Sequence, residues 1–422
     1  MFFHLPPKAV LAGIIGNVME WYDFALYGFM ATIIAKLFFP SESLTASLIA
    51  TYGIFAAGFI MRPIGAAFFG RLGDTIGRSR TMLISVIMMV IPTFGLGLLP
   101  TYKNVGLFAP VLLIIIRLVQ GLSVGGEFSS SATFLVETSP KNKRGFSGSW
   151  ANFGSTLGVL LGSGMATLCI NLLDDTVLMA WGWRLPFLFG GLLGCLAIYL
   201  RIGLPKSEHF QKHMQEKPKE SPLKAIFTTG LKETIQGFLF ASAYGVIYYT
   251  TMVYLPTWIS NQTSITLRES MLFNTMTSII LVPLILVAGW ISDRYIRRTH
   301  FIALSMGLSA ILAVPAALWM TSGSIVAAFT CQLIFGILMA IPLGVAPTLF
   351  VELFPTAHRL TGYSISFNLG MGIVGGTAPM IVTWIISRTG VSIAPALYML
   401  LWGIIAVITL LRMRDHSREA LR

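Results

Sequence analysis

Charge is what this sequence has least of. Of its 422 residues only 11% are Asp, Glu, Lys or Arg, while 55% are hydrophobic. Soluble domains carry about 25% charged and about 45–50% apolar residues. With 17 acidic and 29 basic side chains, the chain cannot clothe the two or three soluble domains its length would make. Cysteine is scarce too. Cys169, Cys195 and Cys331 all lie in apolar stretches, an odd number without metal-ligand spacing, which points to packing rather than a metal or disulfide framework. The six histidines, His4, His209, His213, His300, His358 and His416, fall at termini or in loop regions, so none stands inside an apolar run to carry a proton. The start MFFHLPPKAVLAG lacks an ordered n-region, short h-region and cleavage site, so the first apolar run is expected to be a retained span. The net charge of +12 is not gathered into a patch interleaved with exposed aromatics, which argues against nucleic acid.

What the chain does have is long apolar runs. Twelve are read, at roughly 9–37, 47–70, 80–99, 108–136, 146–172, 183–203, 230–259, 270–291, 300–320, 324–350, 361–387 and 393–412. Runs of this length are the bilayer-spanning signature. Within lipid only helices and closed barrels satisfy their backbone, and a barrel would show alternating ten-residue segments. The expected fold is therefore an all-α membrane protein with twelve transmembrane helices. With the N-terminus placed in the cytoplasm, 22 of the 29 Lys and Arg fall on that side, five outside (Lys36, Lys103, Arg184, Arg268, Arg388) and two, Arg62 and Arg117, within spans. The positive-inside rule then puts both termini in the cytoplasm of a cell (inner) membrane protein. The longest polar stretch, 204–228, divides six spans from six. The expected domains are an N-terminal bundle (1–203), a cytoplasmic linker (204–228), a C-terminal bundle (229–413) and a tail (414–422).

The halves repeat. GRLGDTIGRSR after span 2 and GWISDRYIRR after span 8 align Gly70, Asp74 and Arg78 with Gly289, Asp293 and Arg297, at a constant offset. VETSPKNKR and VELFPTAHR align Glu137, Pro140 and Arg144 with Glu352, Pro355 and Arg359. Two loops matching in order and orientation describe two six-helix bundles related by a pseudo-two-fold axis along the membrane normal, with a site expected between them near the midplane. GRLGDTIGRSR resembles the span 2–3 signature of the major facilitator superfamily. GNVMEWYDFALYGF (16–29), RPIGAAFFG (62–70), RLVQGLSVGGE (117–127), RGFSGSW (144–150) and ELFPTAHRLTGYSISFNLG (352–370) resemble its metabolite:proton symporter branch, which includes proline/glycine-betaine, α-ketoglutarate, citrate and shikimate permeases. The resemblance implies uptake by alternating access and an inner gate of Gly70, Asp74, Arg78, Glu137 and Arg144, with Asp293, Arg297, Glu352 and Arg359 as its copy. Ile296 stands where the first copy has Gly77, so a less tight turn is expected there.

Five charged residues lie inside spans of the first half: Glu20, Asp23, Arg62, Arg117 and Glu127. Each unpaired charge at the bilayer centre opposes insertion by about 2.5–3.5 kcal/mol. Glu20 and Asp23 share a helix face. Arg117 and Glu127, just under three turns apart, point to nearly one side and are expected to pair. Three carboxylates against two guanidiniums leave one carboxylate unmatched, and a carboxylate that toggles between protonated and Arg-paired states carries a proton. Glu20, Asp23 and Glu127 are the candidates. Arg62 is the expected substrate anchor.

Other candidate substrate contacts are Trp21, Tyr22, Arg117, Asn152, Tyr244, Tyr248 and Asn368. Tyr254 and Trp258 are expected in an interfacial aromatic belt, and the span 5 glycines (Gly148, Gly154, Gly158, Gly162, Gly164) at a close helix contact between the bundles. Tyrosines without opposing cations in the second half suit an ammonium, so the preferred substrate is a zwitterion such as proline or betaine. The alternatives are a di- or tricarboxylate symporter, or an uncoupled uniporter or exchanger. The ten residues after Arg412 show no heptads, so osmotic activation through a coiled coil is not expected. No nucleophile–base pair, metal cluster or phosphate loop points to an enzyme. No cofactor or metal is expected, only a small molecule, protons and lipid, with a monomeric chain.

Overall fold

A computed structural model describes residues 7–40, 44–204 and 221–421. Among these, ten helices are long and apolar enough to cross a membrane. Two more, Pro7–Phe29 and Leu44–Ile76, occupy the first two expected spans. In chain order they are α1 (Pro7–Phe29), α2 (Leu44–Ile76), α3 (Arg78–Leu98), α4 (Phe108–Glu137), α5 (Arg144–Leu172), α6 (Leu185–Arg201), α7 (Leu231–Gln262), α8 (Leu267–Arg294), α9 (Arg298–Met320), α10 (Ile325–Leu353), α11 (Arg359–Thr389) and α12 (Ala394–Arg412). The expected first span, 9–37, is two helices, because the chain turns at Met30 before Ala31–Phe38. Most of the 204–228 linker lies outside the described residues.

Local chemistry marks the helix ends. Thr266 and Glu269 form a reciprocal capping box at the start of α8, and Ser324 accepts from Ala327 N at the start of α10, each satisfying donors a helix start leaves open. Gly77, at φ 98°, makes the α2–α3 turn in a conformation that favours glycine. Pro63, Pro92, Pro283, Pro315, Pro342 and Pro347 sit inside helices, as transmembrane helices tolerate.

The chain divides into two compact units, 1–138 with 154–217 and 139–153 with 218–422. The division differs from the expected one in giving the loop and first turns of α5 to the second unit. Bonds from Asp293 and Thr348 to the backbone of 144–146, described below, hold it there.

In the first unit the glycines of α5 lie against α1. A Cβ at Gly154 or Gly162 would sit 2.8 or 2.7 Å from the carbonyl oxygens of Ile14 and Tyr22, whereas at Gly164 it would meet nothing. For Gly154, Gly158 and Gly162 the close contact therefore lies inside one unit, whereas the expectation placed it between the bundles. In the second unit α7 and α11 each contain a π-helical stretch, Tyr249–Tyr254 and Asn368–Gly375, and their backbones meet at Gly245 and Gly375.

A Cβ on Gly375 would fall 2.6 Å from Gly245 Cα, a distance the two backbones must open to accommodate. Gly375→Ala is expected to lower stability by about 1–3 kcal/mol through overpacking. Thermal unfolding in detergent, with Gly164→Ala as the open-space control, checks it.

Candidate functional site

In the first unit the intramembrane charges are not arranged as expected. Arg117 pairs with Asp23, Nη1 to Oδ2 at 2.8 Å. Its guanidinium also lies 3.8 Å above the Tyr27 ring. Asp23 Oδ1 accepts from Gln120 Nε2 at 3.1 Å and Thr93 Oγ1 at 3.2 Å. Glu127 pairs not with Arg117 but with Arg201, which grips both carboxylate oxygens. Ser85 Oγ adds a third hydrogen bond to Glu127 Oε2 at 2.5 Å. Arg201 further donates to the Ala12 and Met82 carbonyls at 3.1 and 2.6 Å.

Arg201 is therefore the residue that sequence reasoning missed. It closes α6 a few residues before the polar linker and reads as a loop cation, yet it is 2% exposed. Counting it, three guanidiniums face three carboxylates, so the inferred carboxylate excess does not exist.

The balance is uneven in contact, however. Glu127 and Asp23 are each held by an arginine. Glu20 is 2% exposed, forms no ion pair among the described residues, and has an Oε2 with no hydrogen-bond partner. The charges acting on it are those of Arg62, Glu127 and Arg201. Arg62 stacks on Phe24 at 4.4 Å. Arg117 keeps Nε and Nη2, one edge of its fork, without partners, and Trp21 Nε1 likewise has none. Tyr22 is placed differently from the expectation. Fully buried, it packs with Trp183 and Phe187 in an apolar cluster and spends its hydroxyl on the Pro186 carbonyl at 2.7 Å.

Both loop copies build an Asp–Arg–Glu cluster. In the first unit Arg78 Nη2 lies 3.3 Å from Asp74 and 3.2 Å from Glu137, one turn beyond buried Gly70. In the second, Arg298 contacts Asp293 at 3.1 Å and Glu352 at 2.8 Å. The arginine of this copy is Arg298, not Arg297, which is exposed. Without a glycine at 296 the turn takes one more residue, and Arg297 becomes the cap that Gly77 is in the first copy. Asp293 also accepts from Gly145 N and Phe146 N at 2.7 and 2.8 Å, Thr348 donates to the Arg144 carbonyl at 2.9 Å, and Arg144 lies 3.6 Å from Glu352. Arg359 is buried at the start of α11, donating to the Phe354 carbonyl at 3.1 Å.

The second unit holds the aromatic candidates. Tyr244, Phe240, Phe350 and Tyr363 form a chain of rings with centroids 6.1, 5.3 and 4.8 Å apart, joining α7, α10 and α11. Asn152 shares a side-chain hydrogen bond with Tyr244 and donates to the Leu343 carbonyl at 2.7 Å. Tyr248 and Tyr249 are half-buried, edge to face at 5.4 Å, where the π-helical stretch of α7 begins. Asn368 opens the other π-helical stretch and donates to the Ser364 carbonyl at 2.9 Å. Trp258 is buried, its indole bonded to the Ser392 carbonyl at 2.8 Å, so it is a packing residue and not part of an aromatic belt.

Residues 9–222 match the family model described as Sugar (and other) transporter, and residues 237–421 that of the Major Facilitator Superfamily. The chain is similar to the "Proline/betaine transporter" of Salmonella typhimurium, 33% identical over 98% of this chain and 85% of the relative. It is similar to the "Glycine betaine/proline/ectoine/pipecolic acid transporter OusA" of Dickeya dadantii, 33% identical over 98% and 84%, and to the "Ectoine/proline transporter ProP" of Corynebacterium glutamicum, 30% identical over 99% and 86%. Among solved structures, the proton:xylose symporter XylE superposes with a TM-score of 0.80 at 18% identity, covering 98% of this chain and 97% of that one. FucP in its outward conformation gives 0.71 at 13%, covering 94% and 97%. At such identities the likeness is one of fold.

The Glu127–Arg201 pair makes a stability prediction. Breaking a buried pair strands a charge and costs about 3–5 kcal/mol, whereas well-packed apolar residues at both positions cost little or nothing. Arg201→Met should lower the unfolding midpoint sharply, and Arg201→Met with Glu127→Met should recover most of the loss. A double-mutant cycle by thermal unfolding measures the coupling.

Proposed function

The chain belongs to the major facilitator superfamily, and on that footing we propose that it is a secondary transporter taking up a small zwitterion of the proline or betaine kind together with a proton. It works by alternating access in the cell (inner) membrane, with both termini in the cytoplasm. The observation that carries the coupling is Glu20: a carboxyl buried among helices, with an oxygen that no group among the described residues satisfies. Ionised, it would bear a desolvation cost that nothing at contact distance offsets; with a proton on it, that cost disappears. Asp23 differs, because Arg117 and Gln120 already stabilise its charge. Glu20 is the proton carrier in this reading, and Glu127, bound on both oxygens, is a structural residue.

A dianion would need two cations released from their partners. A zwitterion needs only one open donor edge, and Arg117 Nε and Nη2 supply it in the geometry that holds a carboxylate through parallel hydrogen bonds. Arg117 thereby joins Arg62 as a candidate anchor in this reading. Tyr248 and Tyr249 are the aromatic faces suited to the ammonium end. The names of the relatives, transporters of proline, betaine and ectoine, support the same class.

Reconstitution into proteoliposomes tests this. Proline or glycine betaine should accumulate under an inward pH gradient and leak away with a protonophore. Glu20→Gln should lose gradient-driven accumulation yet keep counterflow within about threefold, since coupling and exchange are separable free-energy terms. Retained accumulation in Glu20→Gln, or this phenotype in Asp23→Asn alone, would reassign the proton. Uptake of α-ketoglutarate in place of the zwitterions would overturn the substrate class.

A further inference from the structure

Pro256 stands where α7 needs a backbone donor. Leu255 N donates to the Thr250 carbonyl, five residues back, at the end of the π-helical stretch Tyr249–Tyr254. The next residue, Pro256, has no N–H to give. In the π register that donor would serve the Thr251 carbonyl, and in the α register the Met252 carbonyl. Two side-chain amides from neighbouring helices reach these same two carbonyls. Gln332 Nε2, on α10, donates to Thr251 O at 3.0 Å, and Asn274 Nδ2, on α8, donates to Met252 O at 3.0 Å. Gln332 Nε2 also donates to Asn274 Oδ1 at 3.0 Å, which joins the two amides into one bridge.

The bridge is arranged for donation. Gln332 is fully buried, and its Oε1 has no hydrogen-bond partner among the described residues. Both bonds of its nitrogen run to oxygens, so turning the amide over would set oxygen against oxygen. A buried acceptor left unpaired costs free energy, and Gln332 bears that cost in the one orientation that serves Thr251. Gly336, a turn beyond Gln332, lets α10 close on α8: a Cβ there would run into the methyl of Thr277, which shares a helix face with Asn274. That close approach keeps the two amides within reach of each other.

On either side of this stretch α7 is anchored, by the Gly245–Gly375 contact and by the Trp258 bond to the Ser392 carbonyl. The π-helical stretch takes up the register between these anchors and begins at Tyr249, next to Tyr248. A slip to the α register would turn one side by about 100° relative to the other, the rotation per residue of a helix with 3.6 residues per turn. We propose that Gln332 and Asn274 are positioning residues for the substrate site: they replace the donor that Pro256 lacks and hold α7 in the register that presents Tyr248 and Tyr249. That role rests on reading the two rings as the faces for the ammonium end.

The full chain in detergent gives a readout that needs no substrate. Hydrogen exchange of the backbone amides of 249–262 should run about tenfold faster in Gln332→Leu, through loss of a buried hydrogen bond that limits local opening. Adding Pro256→Ala returns a backbone N–H to α7 and should bring exchange back to within about threefold of the unaltered protein. A residue that only packs would be replaced by leucine at little cost, and Pro256→Ala would rescue nothing. In proteoliposomes, the proline concentration giving half-maximal uptake should rise about tenfold in Gln332→Leu, with the maximal rate within about threefold, and fall again in the double variant. Should Gln332→Leu fail to fold, Asn274→Leu, which removes the donor to Met252, is read the same way. Unchanged exchange in the single variant, no recovery in the double one, or faster exchange with unchanged half-saturation each overturns the inference. No uptake of proline or glycine betaine by the unaltered protein would overturn the substrate role together with the proposed function, while the exchange arm still decides whether Gln332 holds α7.

Discussion

A fully satisfied ion pair, Glu127 with Arg201, decides what the other charges of the first unit are left to do. Arg201 is carried by α6 and binds α1 at Ala12, α3 at Met82 and α4 at Glu127. One guanidinium therefore ties four helices through hydrogen bonds on every side, the condition under which a buried pair offsets its desolvation. With both oxygens of Glu127 bonded to Arg201, the other intramembrane carboxylates of the first unit are Asp23 and Glu20. Asp23 is half-way to the same fate, with Arg117 on one oxygen and neutral donors on the other. Among the described residues, Glu20 alone of the three forms no ion pair.

The two loop clusters show the same chemistry under different backbone constraints. Asp74–Arg78–Glu137 and Asp293–Arg298–Glu352 each set one guanidinium between two carboxylates. In the first copy the arginine also donates to the carbonyl of Gly73, inside its own turn. In the second it donates to Ser292, while Asp293 spends both oxygens on the backbone of 145 and 146. Two open N–H groups at a helix start are a site for an anion, and Asp293 fills it. The second copy is thus the one that captures α5, which explains why 139–153 packs with a unit it does not belong to by repeat.

The fold was legible almost throughout, because hydrophobic run length and the Gly/Asp/Arg loop signatures are local properties. The aromatic candidates Tyr244 and Tyr248 and the buried amide Asn152 were legible as polar groups in apolar helices. Their hydrogen bonding was not, because the partner of Asn152 lies on another segment. The failures share that cause. Arg201 stands at the edge of an apolar run, where hydropathy cannot separate a snorkelling end residue from a buried one; only Glu127, 74 residues away, pulls it inward. The Arg117–Glu127 expectation used helix face alone, and two side chains on one face lost to better partners on α1 and α6. Arg297 was displaced by a single extra residue in a turn that the missing glycine had already flagged. Tyr22 lies one residue from both Trp21 and Asp23 and so faces elsewhere.

Net neutrality of the buried charges does not remove the argument for proton coupling; it relocates it. A surplus carboxylate would have made coupling a matter of counting. With equal numbers, what matters is distance: a charge matched in number but not in contact still lacks the short-range hydrogen bonds that make burial tolerable. Arg62 is engaged with the Phe24 face, and Glu20 is left with its field but not its donors. Under the proposed function, a small displacement of Arg62 toward Glu20 would favour releasing its proton, and the return would favour uptake. The same logic fits a neutral substrate. On the proposed reading, a substrate carboxylate at the Nε–Nη2 edge of Arg117 would leave the Asp23 contact at Nη1 in place, so binding would strand no charge, and Glu20, three residues from Asp23 on the same helix face, would feel the new carboxylate. Under the proposed function, substrate binding and proton binding at Glu20 would assist each other: a nearby carboxylate would make ionised Glu20 costlier, and the protonated residue would make room for the substrate's negative end.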